Sequence, residues 1–505
     1  MAGPRAAAAI SPTPISDTQA IETIRIEQPL YVAELTNRGA GLTSWKLTQY
    51  RDTPSPSSPP VELVTAFEPG GVALATPFTE LGLGDLSTAA FRIVERGVDT
   101  VTFEYVAGGV TVRKTFLFDA DNYVVRLRLE VRTVAPAAVE PTFEVIWPAR
   151  ERGQPSFFDE RLSVMHGGKV ERVAVSSVGD PGLASKLTGS SGTVTPTFTG
   201  DVDWVAADSR YFLAALMPDL PRDAVARFVK GASPKQAQAE LMYTPVTVPG
   251  GHGTLHDVEI YVGPKELDRL SAVGSNLQRT VDLGYSWVAP LTKAFLWLLH
   301  ACYSIIPNYG VGIILLTVLV RLVTAPLTSR QMRSMAKMGK LQPQIKALQE
   351  KYADDRPRQS QETMKLYKES GVNPLGGCLP ILLQFPVFIG LYYALQSSID
   401  LRHAPFFGWI HDLSAPEQIG MLPGVDLPIR ILPIVMGASM VLQQKLTPQT
   451  TMDPTQARMM MTVMPVMFTV LFYQFPSGLV LYWLVSNLLA VAHQWWLKRS
   501  MAGEK

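Results

Sequence analysis

Hydrophobic and polar positions follow two different patterns in the two parts of the chain. Up to about residue 280, short segments alternate apolar and polar residues and end at Gly, Asp or Asn, which is typical of antiparallel strands and tight turns. Beyond that point, long apolar runs alternate with short polar segments. The pattern therefore predicts a β domain followed by membrane-spanning helices.

The β domain is predicted over residues 21–263, after a disordered lead at 1–20. Many short strands with few helical stretches indicate a large antiparallel sandwich. A helix is expected over 264–284, leading out of the domain. The clearest strands lie between residues 91 and 133, in the segments FRIVERG, DTVTFEYVAGG, VTVRKTFLFDADN and YVVRLRLEVRT.

The apolar segment 287–306 is predicted to lie on the membrane surface rather than to cross the membrane. Pro290, Lys293 and His300 interrupt it, and its Trp and Tyr residues favour the membrane interface. Residues 264–306 are thus expected to form a linker helix and an interfacial amphipathic helix. A helical core over 307–499 follows, with spans predicted at 307–328, 375–398, 429–446, 459–475 and 478–497.

Charged residues between the spans predict the orientation of the chain. Segment 329–370 holds ten Lys and Arg against five Asp and Glu, and Lys498 and Arg499 follow the last span. By the positive-inside rule, this segment and the short tail at 500–505 are cytoplasmic, and the β domain lies outside the cytoplasm. An exported β domain also leads us to expect a membrane segment upstream, because the Ala-rich run near the start is too short for a signal peptide.

Segment 329–370 is predicted to form a cytoplasmic helical hairpin. Methionines and aliphatic residues recur at helical spacing over 329–350, and a second helix is expected at 359–369. One interpretation is a solvated basic loop. The other is a docking surface for a partner such as a ribosome, whose RNA attracts positive charge. The basic residues assigned to docking are Arg330, Arg333, Lys337, Lys340 and Lys346.

Composition narrows the possible chemistry. A formal net charge of +1 gives no argument for nucleic-acid binding, and Cys302 and Cys378 are the only cysteines, so no disulfide framework or cysteine metal site is expected. His252 and His256 have a spacing that suits a metal on a helix, but the strand-like surroundings argue against it. No metal, cofactor or enzymatic activity is predicted, and the β domain is interpreted as a binding or spacer module.

Arg321 is the one ionisable residue of the apolar stretch 310–328. An Arg inside a span costs about 2.5–3.5 kcal/mol on insertion scales, and none of the predicted spans contains Asp or Glu. Its partners are then backbone carbonyls, neighbouring hydroxyls and amides, water, or a visiting anion. The polar residues that could line a wet cavity with it are Thr317, Thr324, Gln384, Thr469, Tyr482, Ser486 and Asn487. For Thr469, Ser486 and Asn487, polar contacts between helices are the alternative.

The second and fourth predicted spans carry an apolar surface that is interrupted by proline. Contact with lipid or with the protein core is the default interpretation of this surface. A track for a passing hydrophobic helix is the functional alternative. Its residues are Phe385, Pro386, Phe388, Val466, Met467 and Leu471.

The stretch from about residue 281 to 499 resembles the YidC membrane protein insertases of the YidC/Oxa/Alb family. The resemblance is carried by MAKMGKLQPQIKALQEKY, NPLGGCLPILLQFPVF, FFGWIHDLSA and FPSGLVLYWLVSN. The β domain is similar, in position and strand pattern, to the periplasmic β-supersandwich of Gram-negative members. The resemblance implies an α-helical five-span core in the bacterial inner membrane, with a hydrophilic groove open to the cytoplasm and to lipid.

The resemblance also implies site residues, a function and partners. Phe385 and Trp483 depart from the family pattern, which has Met and Tyr there. The expected function is insertion and folding of nascent inner-membrane proteins, with the Sec translocon, the ribosome and membrane lipids as partners. The alternative is a polytopic solute transporter or membrane enzyme with an exported sugar-binding-like β domain. The implied groove residues are Arg321, Thr317, Gln384, Tyr482 and Trp483, and the implied hydrophobic substrate track is Phe385, Pro386, Phe388, Val466, Thr469 and Leu471.

Overall fold

The chain divides into two units, residues 1–281 and 282–505. The computed structural model describes residues 20–64, 71–150, 160–180, 195–353, 355–371, 379–424, 426–446 and 459–503. Nearly all of the predicted lead at 1–20 lies outside the described residues. The division falls inside the segment 264–306 that was predicted to connect the two parts.

Antiparallel strands form the N-terminal unit. Its described strands are β1 (Thr23–Glu27), β2 (Tyr31–Thr36), β3 (Gly41–Arg51), β4 (Pro60–Glu62), β5 (Arg92–Arg96), β6 (Thr100–Ala107), β7 (Val110–Phe118), β8 (Val124–Thr133), β9 (Val145–Arg150), β10 (Arg161–His166), β11 (Lys169–Ala174), β12 (Thr197–Thr199), β13 (Val202–Asp208), β14 (Phe212–Pro218), β15 (Ala224–Lys230), β16 (Gln236–Tyr243) and β17 (Gly253–Pro264). They pair in the orders β1-β2-β3-β4, β11-β10-β13-β14-β17-β8-β7-β6-β5 and β12-β15-β16-β9.

Alternation of side chains explains this core. Along β8, apolar residues are buried at every second position while the residues between them are more exposed, as expected for a strand with one covered face. The nine-stranded sheet packs against the sheet of β12, β15, β16 and β9, with Trp147 and Trp204 buried. Gly108 and Gly109 take positive φ in the β6–β7 turn, as a two-residue hairpin requires. The prediction of a large antiparallel β domain is confirmed.

The helix predicted over 264–284 is wrong in its length. The structure has a helix, α1, only at Leu267–Val273, followed by a 3-10 turn at Leu277–Thr280. Gly274, Ser275 and Asn276 between them have positive φ, which a continuing α-helix does not allow. Arg172 Nη2 then donates to the carbonyl of Arg279 at 2.8 Å, so this stretch packs onto the β domain.

The second unit is helical. Its described helices are α2 (Ala289–Ile305), α3 (Tyr309–Lys340), α4 (Gln342–Lys351), α5 (Arg356–Glu369), α6 (Leu379–Ser397), α7 (Leu432–Leu446), α8 (Met464–Phe472) and α9 (Ser477–Gly503). A π-helical turn, Met459–Val463, precedes α8, and the two-residue strands β18 (Gly420–Met421) and β19 (Pro428–Ile429) pair before α7.

The first predicted span runs on into the hairpin without a break. Helix α3 continues to Lys340, and the interruption comes at Leu341, because Gln342-Pro343 begins a new helix with proline in its first turn. The single helix expected over 329–350 is therefore two helices. The second helix of the hairpin, α5, is capped by Asp355, whose carboxylate accepts from the backbone N–H of Arg358 at 3.1 Å.

The helices share a core that includes Leu299, Ile313, Leu395, Met436 and Leu481. Helix α9 packs against α3 and α7, and α7 also packs against α8. Among the residues that the structure describes, α3 is the one helix long and apolar enough to cross a membrane by length and composition. The count of five spans stays a prediction.

Candidate functional site

The side chain of Arg321 extends from α3 towards α9, where it is hydrogen-bonded to Ser486. Its Nε and Nη2 donate to Ser486 Oγ at 3.1 and 2.6 Å. Within the described ranges, no carboxylate lies within 4.0 Å of the guanidinium, and its Nη1 has no hydrogen-bond partner. A guanidinium stays charged in a protein. The Arg321–Ser486 contact therefore orients a positive charge without neutralising it.

Helix α3 presents Arg321 on a surface that is shaped by local hydrogen bonds. Asn308 caps the helix by accepting from the backbone N–H of Val311 at 3.1 Å. Near Pro326, which removes one backbone donor, Thr324 and Thr328 donate to carbonyls one turn earlier at 2.9 and 3.0 Å. These hydroxyls are therefore satisfied within their own helix and are not available to the cavity.

A cavity of about 200 Å³ opens beside Arg321. Its lining residues are Val318, Arg321, Leu322, Ala325 and Thr328 of α3 with Leu489, Ala490 and His493 of α9. Most of these side chains are apolar, and His493 is the second ionisable one. Its Nε2 lies 2.9 Å from Ser329 Oγ, a hydrogen bond between α9 and α3. The cavity thus combines apolar walls with the guanidinium of Arg321 and the imidazole of His493.

Gln384 and Tyr482 extend the polar contacts of Arg321 and Ser486 towards α6. Gln384 Nε2 donates to the Tyr482 hydroxyl at 2.8 Å, joining α6 to α9. Tyr482 is only 1% exposed and lies one turn before Ser486. Both residues were predicted for the groove. Neither lines the cavity, and Tyr482 lies next to Ser486 on α9.

Two other predicted groove residues point elsewhere. Thr317 is fully buried and donates to the carbonyl of Ile313 at 2.6 Å, so its hydroxyl is satisfied within α3. Trp483 packs among aromatic rings, with centroids 5.0 Å from Phe388 and 5.1 Å from Phe472. Their assignment to substrate contact stays a prediction, and neither lines the cavity beside Arg321.

The predicted hydrophobic track lies on α6 and α8. Phe385, Val466 and Leu471 are each more than half exposed, whereas Pro386 and Phe388 are half-buried. Thr469 instead marks a close approach of helices: a Cβ at Gly437 of α7 would lie 2.0 Å from its hydroxyl oxygen. The exposed part of the track therefore consists of apolar side chains with room for lipid or another hydrophobic helix against them.

The hairpin has an apolar interior and a basic surface. Met338, Ile345 and Tyr367 are buried together, so the predicted methionine spacing serves in part to pack its helices. All the basic residues assigned to docking are exposed: Arg330, Arg333, Lys337, Lys340 and Lys346. Their side chains are free to meet a partner, and their docking role stays a prediction.

His252 and His256 of the β domain do not come together. His256 stacks on Tyr243 with ring centroids 3.9 Å apart, and its Nδ1 lies 3.4 Å from Asp219 Oδ1. His252 instead contacts the carbonyl of Gly250 at 3.1 Å. In the part of the chain that the structure describes, no group of three or more His, Cys, Asp or Glu residues is placed to hold a metal ion.

Ser486 and His493 carry more of the site than the sequence interpretation assigned to them. Ser486 was considered only among several polar residues, and His493 was not considered although it lies within the predicted span 478–497. The signal was present, because residues 482, 486, 489, 490 and 493 recur at helical spacing and an ionisable residue inside a span is a functional candidate.

Comparison with known proteins covers both units. The YidC periplasmic domain family matches residues 23–298, and the 60Kd inner membrane protein family matches 301–504. The membrane protein insertase YidC of Syntrophus aciditrophicus is 35% identical, over 99% of this chain and 88% of its own length. That of Geobacter metallireducens is also 35% identical, over 97% and 88%. A crystal structure of an active YidC insertase is 19% identical, covering 95% of this chain and 93% of that one with a TM-score of 0.38. The two family matches and the extent and identity of the two insertase sequences establish that the chain belongs to the YidC family of membrane protein insertases.

Proposed function

We propose that this protein inserts nascent membrane proteins into the bacterial inner membrane by offering Arg321 as an electrostatic receptor for acidic residues in transit. The observation that carries the proposal is the setting of Arg321: a guanidinium held by a serine, beside an apolar-walled cavity, with no carboxylate partner among the described residues. Family membership supports insertion of membrane proteins as the activity.

The physical reason is the cost of moving a charged side chain across a bilayer. An acidic residue in the hydrocarbon region costs several kcal/mol, and pairing it with an opposite charge offsets part of that cost. Arg321 is suited to the pairing because its guanidinium keeps its charge and has donors to spare. A client segment with an acidic residue is thereby stabilised on its way across.

The apolar part of a client takes a different path. Phe385 on α6 with Val466 and Leu471 on α8 presents exposed apolar side chains, which a hydrophobic helix can contact without desolvating polar groups. A client would thus hold its polar flank near Arg321 while its apolar face passes along α6 and α8 into lipid. The reaction needs no cofactor and forms no covalent intermediate.

The orientation follows from the loop charges. The β domain is periplasmic, while the helical hairpin at 329–370 and the C-terminus are cytoplasmic, with spans at 307–328, 375–398, 429–446, 459–475 and 478–497. The exposed basic residues of the hairpin then face the ribosome, whose RNA attracts them. The Sec translocon is the proposed partner for clients with large exported segments, and membrane lipids surround the helices.

Replacing Arg321 tests the proposal. Arg321→Ala should lower insertion of a small single-span client with an acidic exported tail by about tenfold or more, because a hydrogen-bonded charge contributes roughly 1.5–3 kcal/mol. Arg321→Lys should retain part of the activity, since it keeps the charge and loses the fork of donors. Insertion is measured as protease protection of the tail in vesicles that contain the purified full-length protein.

The matched control is Ser486→Ala, which removes the orienting hydroxyl and keeps the charge. Ser486→Ala should lower insertion of the acidic client less than Arg321→Ala does. Full insertion of the acidic client by Arg321→Ala would remove this residue from the mechanism.

Site-specific photo-crosslinking during translation separates insertion from the alternative of a solute transporter or membrane enzyme. Probes at Phe385 and Val466 should capture the nascent chain, and a probe at Val323, exposed on another face of α3, should capture lipid. Capture of lipid alone at all these positions would contradict the proposed path.

A further inference from the structure

Two side-chain nitrogens at the cavity of α3 and α9 lack partners. Arg321 uses Nε and Nη2 on Ser486, which leaves Nη1, and His493 uses Nε2 on Ser329, which leaves Nδ1. Neither remaining nitrogen has a hydrogen-bond partner in the described part of the chain. Both residues line the same cavity. One residue from each of two helices thus brings an unpartnered nitrogen to the lining of the same space.

We propose that Arg321 and His493 together form a two-donor receptor for a single carboxylate side chain of the client. This inference deepens the proposed function and rests on it. A carboxylate presents two oxygens and can accept from both helices at once, whereas a neutral amide presents one. His493 thereby selects acidic residues over their isosteric amides.

Ser329 positions the histidine for this role. Ser329 Oγ lies 2.9 Å from Nε2, and when the hydroxyl donates this bond the ring proton is on Nδ1, which is then the unused donor. The ring of Trp496 lies alongside, with centroids 6.4 Å apart and an angle of 27° between the planes. The hydrogen bond to Ser329 thus restricts the imidazole before a ligand binds, which lowers the entropic cost of binding.

The cavity walls favour a side chain over a free ion. Val318, Leu322, Ala325 and Leu489 are apolar and line the cavity together with Arg321 and His493. A volume of about 200 Å³ has room for the methylene groups of Asp or Glu as well as their carboxylate. The site therefore fits an acidic residue carried on a peptide chain.

The test compares two clients that differ at one position of the exported segment, Asp in one and Asn in the other. Insertion is measured with the purified full-length protein in vesicles of phosphatidylethanolamine with and without phosphatidylglycerol. His493→Ala should lower the ratio of Asp-client to Asn-client insertion by roughly tenfold, the low end of the effect of a hydrogen bond to a charged group. His493→Gln, which keeps a donor, should restore part of that ratio, and Ser329→Ala should lower it less than His493→Ala.

Each other outcome has a defined meaning. An equal fall for both clients would show that His493 only supports the fold and would overturn the inference. An unchanged ratio in His493→Ala, with the ratio lost in Arg321→Ala, would leave Arg321 as the sole receptor and overturn the inference while the proposed function stands. A His493 effect seen only with phosphatidylglycerol, and equal for both clients, would assign the site to lipid phosphate and overturn it too. Failure of the wild-type protein to insert either client would instead reject the proposed function.

Discussion

The two units of this protein differ in what lies next to a buried positive side chain. In the β domain, Lys265 is only 6% exposed and lies 2.7 Å from the carboxylate of Asp208, which is itself 4% exposed by side chain. In the helical unit, Arg321 meets a serine hydroxyl instead. The β domain compensates the charge of Lys265 within its own fold. The helical unit leaves the charge of Arg321 available to an anion from outside.

Lys114 is a second case in the β domain and sharpens the comparison. It is fully buried on β7, and its Nζ donates to the carbonyls of Gly39 and Leu74 at 3.1 and 2.9 Å. Burial lowers the pKa of Lys114 to about 7, so above that pH this group avoids the cost of a buried charge by giving up its proton. Arginine cannot follow that route. A mid-helix Arg without an acid is therefore a stronger sign of function than a buried Lys.

At neutral pH, the largest effect is expected where a compensated charge loses its partner. Asp208→Asn should lower the stability of the β domain by about 3 kcal/mol, because Lys265 would remain buried without its carboxylate. Hydrogen exchange of β13, β14 and β17 peptides in the full-length protein measures this loss.

The control for Asp208→Asn is Asp257→Asn, which breaks the exposed pair with Arg128 at 2.8 Å. It should cost less than about 1 kcal/mol. Equal effects of the two substitutions would contradict the view that the β domain depends on internal compensation of its buried charge.

The contribution of Lys114 to the stability of the β domain should depend on pH, with a smaller change for each pH unit than the effect of Asp208→Asn. Its folded pKa is lowered to about 7 from 10.5, so between these values the unfolded chain binds a proton that the folded domain does not. The stability of wild type relative to Lys114→Met should therefore rise by about 1.4 kcal/mol per unit as the pH increases from about 7 to 10.5. Below about pH 7 both states are protonated, and the difference should level off.

The measurement is hydrogen exchange of β7 peptides at matched pH, with the two proteins compared at each point. A lysine that stays charged throughout the folded state would give a flat difference across this range, and Lys114 would then be an uncompensated cation like Arg321.

Much of the fold was predictable because its patterns are local. Alternation along β7 and β8 predicted those strands, and long apolar runs predicted α3 and α9. The strands β10, β13 and β15 were not singled out, and the break at Leu341 was missed because proline is compatible with the first turn of a helix as well as with a helix end. Gly274 ended the helix α1 earlier than its polar surroundings indicated.

The site was predictable only in part. Arg321 could be found because a charge inside an apolar run is conspicuous in a sequence. Its partner could not, since the rotation of α9 about its own axis decides which of Ser486, Asn487 and Tyr482 faces α3, and periodicity alone does not set that angle. The packing turns Asn487 towards α7 instead, where it donates to Ser439 at 3.0 Å.

The most direct test gives Arg321 the internal partner that it lacks. Ser486→Asp places a carboxylate where the orienting hydroxyl stands, and Ser486→Asn is the matched neutral control. Insertion of the acidic single-span client by Ser486→Asp should fall about tenfold, towards the level of Arg321→Ala, because the charge is then compensated within the fold. Ser486→Asn should keep most of the activity, and both variants should keep the wild-type melting temperature in detergent. Unimpaired insertion by a folded Ser486→Asp protein would contradict the account.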